Sequence, residues 1–165
     1  CYTGTRITEL LKARWDSGEL DFENKVWIIP AERMKKRIEH TIPLPTQDIA
    51  LLNELKSYSG NSAYLFKSRS DSGKPLSNNT FNKALKSMGY QGKQTPHGFR
   101  HIISTELREL GFHRDHVEAA LAHKVGGVEG VYNKAIYVEP RKEMVQKWAD
   151  HLDSLVNEET KTNVA

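Results

Sequence analysis

The sequence predicts an α+β domain, mainly α-helical, with a small antiparallel β-sheet near its N-terminus. Three observations carry that expectation. From Thr46 onward most segments space their apolar residues as helices do, ending with Met144, Trp148, Leu152 and Leu155 at intervals of four, four and three. Two earlier runs, "VWIIP" (26–30) and "IEHTIPL" (38–44), read as strands, and in the second Ile38, His40, Ile42 and Leu44 alternate with Glu39, Thr41 and Pro43. The length, 165 residues, suits one domain with its own core.

Taken in order, Thr3 or Thr5 can cap a first helix over 5–14 that buries Ile7, Leu10, Leu11 and Trp15. The two strands are joined by "AERMKKR", polar and basic, so they should pair as a hairpin with a charged tip. A helix over 46–58 follows, then the apolar "AYLF" and the loop "KSRSDSGKPLSN". The next helix, 78–88, is opened by Ser77 or Asn78 and closed by Gly89, with Phe81, Leu85 and Met88 as its core face. Further helices are expected from "HGFRH", near 114–122, around 128–136 and near 139–153. The tail "VNEETKTNVA" is polar and aperiodic, which divides the chain into a domain, 1–155, and an extension, 156–165, mobile or docked on a partner. The chain starts at Cys1 inside a turn that runs straight into a helix, so it reads as a fragment of a longer protein.

Composition excludes several classes. With 24 Lys+Arg against 21 Asp+Glu, the net charge is +3 and the pI about 8.9, a mild basic excess compatible with nucleic-acid binding. A single cysteine excludes an internal disulfide and a cysteine-rich metal cluster and points to a reducing cytoplasm. The sequence contains no apolar run of membrane-spanning length, so no membrane partner is expected.

Chemistry concentrates in three islands. In "TPHGFRH" (95–101), a helix turning about 100° per residue puts His97 at 0°, Arg100 at roughly 300° and His101 at roughly 40°. Phe99, Ile103, Leu107 and Leu110 fall at roughly 200–280°, a separate stripe able to face a core. "TGTRITEL" carries Arg6 in the first turn of its helix, and "LAHKVGGVEGVYNKA" carries His123 and Tyr132. Two arginines and two histidines suit a phosphodiester: arginine grips two non-bridging oxygens and keeps its charge, while histidine donates a hydrogen bond or moves a proton. A tyrosine beside such a clamp can attack phosphorus. The sequence offers no acidic cluster for Mg²⁺, and His97-x-x-x-His101 lacks a third zinc ligand.

The order Arg … Lys … His-x-x-Arg … His … Tyr resembles the catalytic domain of the tyrosine recombinases, and most closely the integrases of prophages and genomic islands. "TGTRITEL" looks like the family's first arginine box, "TPHGFRHIISTELRELGF" its second and "LAHKVGGVEGVYN" its last. "WIIPAERMKKRIEHTIPL" is similar to the family's lysine hairpin, and "MVQKWADHLDSL" to its terminal helix. The resemblance implies that fold over nearly the whole chain, and metal-independent, cofactor-free cleavage and rejoining of DNA. Arg6 and Arg100 would clamp the scissile phosphate, Tyr132 would attack it, His97 would accept the tyrosine proton and His123 would hydrogen-bond the phosphate. The hairpin lysine would protonate the leaving 5′-oxygen. Lys35 and Lys36 are both candidates, and the place of Lys35 after Met34 favours it. Lys36 and Arg37 at the tip, with Asn79, Asn82, Lys83 and Lys86 away from the core face of their helix, would contact DNA.

The bland readings apply to the other residues. Tyr137, a rival of Tyr132, reads as packing; His101 orients a neighbour; His40 is a satisfied strand residue; His113, His116 and His151 belong to the surface; Glu9 partners the Arg6 helix. The implied partners are double-stranded DNA attachment sites, three further copies in a tetramer on DNA and a host DNA-bending factor, with this fragment alone a monomer. The alternatives are a strand-relaxing activity of the type IB topoisomerase kind, and a DNA-binding module without chemistry.

Overall fold

A computed structural model of the chain describes residues 2–123 and 137–162. Tyr132 and the helix expected around 128–136 lie outside the described residues. The elements run α1 (Ile7–Leu11), β1 (Leu20–Asp21), β2 (Val26–Ile29), a 3-10 turn (Ala31–Arg33), β3 (His40–Pro43), α2 (Thr46–Ser59), α3 (Asn78–Ser87), α4 (Gly98–Glu109), α5 (Arg114–Ala120) and α6 (Val138–Thr162). The predicted class holds: helices dominate, beside a three-stranded antiparallel sheet in the order β1-β2-β3.

The hairpin forms where the strand-like runs stand, pairing Val26 with Pro43 and Ile29 with His40. Strand β1 was not legible, because two residues are too short for any period. The second strand is shorter than expected and begins at His40, leaving Ile38 about a third exposed at 38%. Between the strands, Arg33 leaves its turn to meet Glu19, whose carboxylate is 5% exposed. That carboxylate also accepts from the Arg14 backbone N–H at 2.6 Å, the Ser17 hydroxyl at 2.8 Å and Trp27 Nε1 at 2.8 Å. One buried anion thus ties the end of α1, the sheet and the base of the lysine-bearing turn. Removing it would leave the Arg33 guanidinium, largely buried, without its anion. Glu19→Ala should cost roughly 3–5 kcal/mol and lower Tm by on the order of 10 °C in thermal unfolding followed by circular dichroism.

Helix α1 corrects the expected cap. The Thr3 and Thr5 hydroxyls bond each other at 2.7 Å, so neither caps the helix. Arg6 stands at the N-cap, and its backbone N–H donates to Glu9 Oε2 at 3.1 Å, which satisfies one of the amides a helix start leaves over. Helix α3 follows expectation at both ends: Ser77 Oγ accepts from the Asn79 N–H at 3.2 Å, and Gly89 turns the chain at φ +82. Its inner face is narrower than expected. Phe81 packs edge-on against Phe66 at 5.9 Å, whereas Met88, one residue past the helix, is 61% exposed.

Two apolar clusters form. Trp27, Ile29, Met34, Ile42, Leu44 and Leu65 gather around the sheet, while Ile103, Leu107, Val117, Leu121, Met144 and Trp148 join α4, α5 and α6. The repeat Met144–Trp148–Leu152 packs as its spacing demands, but Leu155 is 45% exposed and the helix continues through Thr162 into the segment read as an aperiodic tail. Along α4, Leu110 also fails to join the core: the helix ends at Glu109 and Gly111, at φ +82, turns the chain. Arg100 takes its place in the inward row, with Ile103 and Leu107.

Candidate active site

The site is assembled at the junction of the two clusters. Arg100 is its centre and is buried, 6% exposed. Helical spacing grouped Arg100 with His97 and His101, apart from the apolar stripe, but Arg100 lies only about 20° from Leu107 around the helix. Packing therefore draws it inward, where backbone carbonyls compensate its lost hydration. One guanidinium NH2 group donates to Leu121 O at 2.8 Å and reaches His123 Nε2 at 3.4 Å; the other donates to Gly4 O. Gly4 makes that approach possible. It sits at φ +60, and a Cβ there would stand 2.9 Å from Leu121 Cδ2 and 3.1 Å from Ile103 Cδ1.

Arg6 projects from the start of α1 with its side chain 30% exposed, held by Glu9 Oε1 at 2.8 Å. Glu9 is 4% exposed and so serves as the structural partner expected of it. Burial lowers the Arg100 pKa, and the repulsion of nearby Arg6 lowers it further, against an opposing pull from Glu9. Both arginines keep their charge near neutrality. Arg6 and Arg100 repel each other and Glu9 attracts both, so this cluster of two guanidinium groups and one carboxylate carries net positive charge.

His123 follows the end of α5 and is exposed. Its Nδ1 lies 2.8 Å from Glu118 Oε2, and Glu118 also pairs with Arg108. A guanidinium can only donate, so Nε2 accepts from Arg100, and the ring proton sits on Nδ1 facing the carboxylate. Glu118 escaped sequence reading; its signal is a carboxylate one and a half helical turns before a candidate site histidine. His97 is the α4 N-cap residue, exposed, with its ring edge-on to His101 at 5.0 Å.

The lysine turn reaches the C-terminal end of α5. Lys36 Nζ donates to Ala122 O at 3.3 Å, directly before His123. Lys35 is exposed beside it, and its ammonium makes no hydrogen bond or ion pair among the described residues. Arg37 adopts φ +54 and donates to Glu32 O at 2.9 Å. Asn79, Asn82, Lys83 and Lys86 all lie exposed on α3. Tyr137, at φ +69, packs on His116 at 4.7 Å, and Arg141 donates to its carbonyl and to Thr41 O at 2.9 Å. Arg141 is 2% exposed, and burial lowers its pKa to about 10. Its role was not legible in sequence. His113 caps α5, accepting from the Asp115 N–H at 3.2 Å, and His151 packs beside Trp148 at 5.9 Å.

Two half-buried titratable groups set opposing pH dependences. Burial pushes the Asp48 carboxyl up to about 6, and its Oδ2 has no hydrogen-bond partner among the described residues. The folded chain therefore holds a proton that the unfolded chain releases, and stability falls as pH rises towards 6. Burial and the charge of Arg141 push His40 down to about 4. There the unfolded chain binds the extra proton, and stability is lost as pH falls from the unfolded histidine value, about 6.5, towards 4. Asp48→Asn should leave the second slope alone: stability should rise with pH between 4 and 6.5, and exceed the parent by roughly 1–2 kcal/mol at pH 7 in urea unfolding.

Comparison with known proteins bears on the family and the fold. Residues 1–137 match the phage integrase family. Prophage integrase IntA of Escherichia coli K12 is 44% identical over 149 residues, covering 90% of this chain and 36% of that protein. The integrase of Shigella phage Sf6 is 41% identical over 157 residues, covering 94% of this chain and 40% of that protein. This chain thus spans well under half the length of these relatives. Among solved structures, the Tn1549 transposon integrase in complex with a circular intermediate DNA superposes with a TM-score of 0.61 at 17% identity, over 84% of this chain and 55% of that one. That likeness establishes the fold, and no helix among the described residues is long and apolar enough to cross a membrane. A fold of this kind, a match across most of the chain, and relatives above 40% identity converge on one conclusion: the chain belongs to the phage integrase family.

Proposed function

We propose that this chain is the catalytic part of a site-specific DNA recombinase that integrates or excises a prophage or genomic island. The observation that carries the reading is that Arg100 brings together two distant chain segments, coupled electrostatically to Arg6 and in contact with His123 Nε2 at 3.4 Å. A scissile phosphate fits this cluster: the arginines hold the non-bridging oxygens, and His123 adds a hydrogen bond once Nε2 carries a proton. Tyr132, nine residues after His123, attacks phosphorus, forming a phosphotyrosyl bond to the 3′ end as the bond to the 5′-oxygen breaks. His97 accepts the phenolic proton. Lys35 supplies the proton to the 5′-oxygen, because its ammonium has no partner among the described residues while that of Lys36 bonds Ala122 O. Bond energy stays in the phosphotyrosyl link, so rejoining needs no nucleotide cofactor.

Lys36 and Arg37 at the tip, and Asn79, Asn82, Lys83 and Lys86 on α3, bind the flanking duplex. Recombination joins two duplexes at four sites, so the assembly on DNA is a tetramer, helped by a host DNA-bending factor, and the chain alone is a monomer. Its working compartment is the cytoplasm.

The test is a nicked suicide duplex carrying a tRNA-gene end, incubated with the chain in EDTA. A covalent protein–DNA adduct is the expected result. An adduct that needs Mg²⁺ overturns the mechanism, relaxation of supercoils without site pairing moves the assignment to a topoisomerase, and salt-sensitive binding without any adduct leaves only a binding module. A 5′-bridging phosphorothiolate, whose leaving group needs no proton, should restore cleavage to Lys35→Ala. Rescue of Lys36→Ala instead would move the acid to Lys36.

A further inference from the structure

Three successive backbone carbonyls at the C-terminal end of α5 each receive a side chain from a different element. His40 Nε2 lies 3.2 Å from Ala120 O, Arg100 NH2 donates to Leu121 O at 2.8 Å, and Lys36 Nζ donates to Ala122 O at 3.3 Å. The next residue is His123. Carbonyls at a helix end have no amides of their own helix to meet, and they carry its negative partial charge, so cationic and N–H donors gather there. Ala122, at φ +53, turns the chain out of the helix.

Arg100 and the lysine turn already have parts in the reaction. His40 has none, yet it is half-buried on β3 and bonds the first of the three carbonyls. A carbonyl oxygen only accepts, so the His40 ring must carry a proton on Nε2. Burial, and after it the positive charges of Arg141, Arg6 and Arg100, disfavour a second proton and leave a neutral donor. We propose that His40 is a positioning residue for strand cleavage: its bond to Ala120 O sets the β2–β3 hairpin in register with α5, and thereby places the lysine turn against Arg100 and His123. This rests on the DNA-cleavage reading above. Lys36 is only four residues from His40, so a displaced His40 carries the turn with it.

The test compares His40→Phe and His40→Leu, which fill space without donating, with His40→Gln, which keeps an N–H near the Nε2 position. In the 165-residue chain the donor-less variants should fold, shift the imidazole ¹⁵N signals of His123 without DNA, and slow adduct formation on the nicked tRNA-gene-end duplex. At saturating DNA the slowing should be on the order of tenfold, with Kd changed by less than about twofold. His40→Gln should recover most of the rate and the His123 signals. Unchanged rate and signals in His40→Phe or His40→Leu overturn the proposal. A His40→Gln variant as slow as His40→Phe also overturns it, as does failure of both donor-less variants to fold, which would assign His40 to core stability. If the unaltered chain forms no adduct, the cleavage reading falls by itself, and the positioning contact is judged by the His123 signals alone.

Discussion

Tyr132→Phe is expected to abolish the covalent protein–DNA adduct, and Tyr137→Phe to leave it near the parent level. Phenylalanine keeps the ring and removes only the oxygen that would attack phosphorus, so binding survives and the chemistry has no nucleophile. The contrast with Tyr137 gives the experiment its force. The Tyr137 ring packs on His116, and its carbonyl holds Arg141 at the first turn of α6. Losing its hydroxyl should cost little. Denaturing gels of a labelled suicide duplex read the adduct, and a salt series on the intact duplex reads affinity. An adduct that persists in Tyr132→Phe removes Tyr132 from the mechanism, and its loss in Tyr137→Phe alone would transfer the role.

Arg100→Lys should slow adduct formation by roughly 10²–10³-fold at saturating DNA. Charge is conserved in this change, so a purely electrostatic attraction for DNA would barely notice it. The planar fork is lost. Arg100 meets Gly4 O, Leu121 O and His123 Nε2 simultaneously, and an ammonium on a flexible stem cannot satisfy that fixed set or grip two phosphate oxygens in parallel. The carbonyls left buried without a donor should also lower Tm by several degrees, since each unsatisfied group costs about 1–3 kcal/mol. Single-turnover rates paired with thermal melts separate the two effects. Cleavage within about fivefold of the parent, with a clear fall in Tm, would make Arg100 a structural residue only.

Much of the fold was legible because its signals are local. Helix α2, helix α3 with its Ser77 and Gly89 ends, and the β2–β3 hairpin follow from period, capping and turn chemistry within a few residues of each other. The misreadings occur where a distant partner overrides the local signal. Thr3 and Thr5 are good caps in isolation, but each hydroxyl is taken by the other and Glu9 serves the helix start. The segment after Leu155 lacks an apolar period, yet it continues as helix because α6 is already propagating and its residues include good helix formers.

By itself, the sequence determined the class of the domain, the order of its chemical islands and the residue types able to hold a phosphodiester, since composition, spacing and period are properties of neighbouring residues. Only the tertiary structure decided that Arg100 faces inward, that Glu118 holds His123, that Glu19 and Arg141 tie the sheet to the helices, and that Lys36 reaches Ala122 while Lys35 does not. Each of these is a polar group whose burial is tolerable only if a donor or acceptor far along the chain arrives to meet it. That meeting depends on how the two apolar clusters pack, which no local pattern encodes.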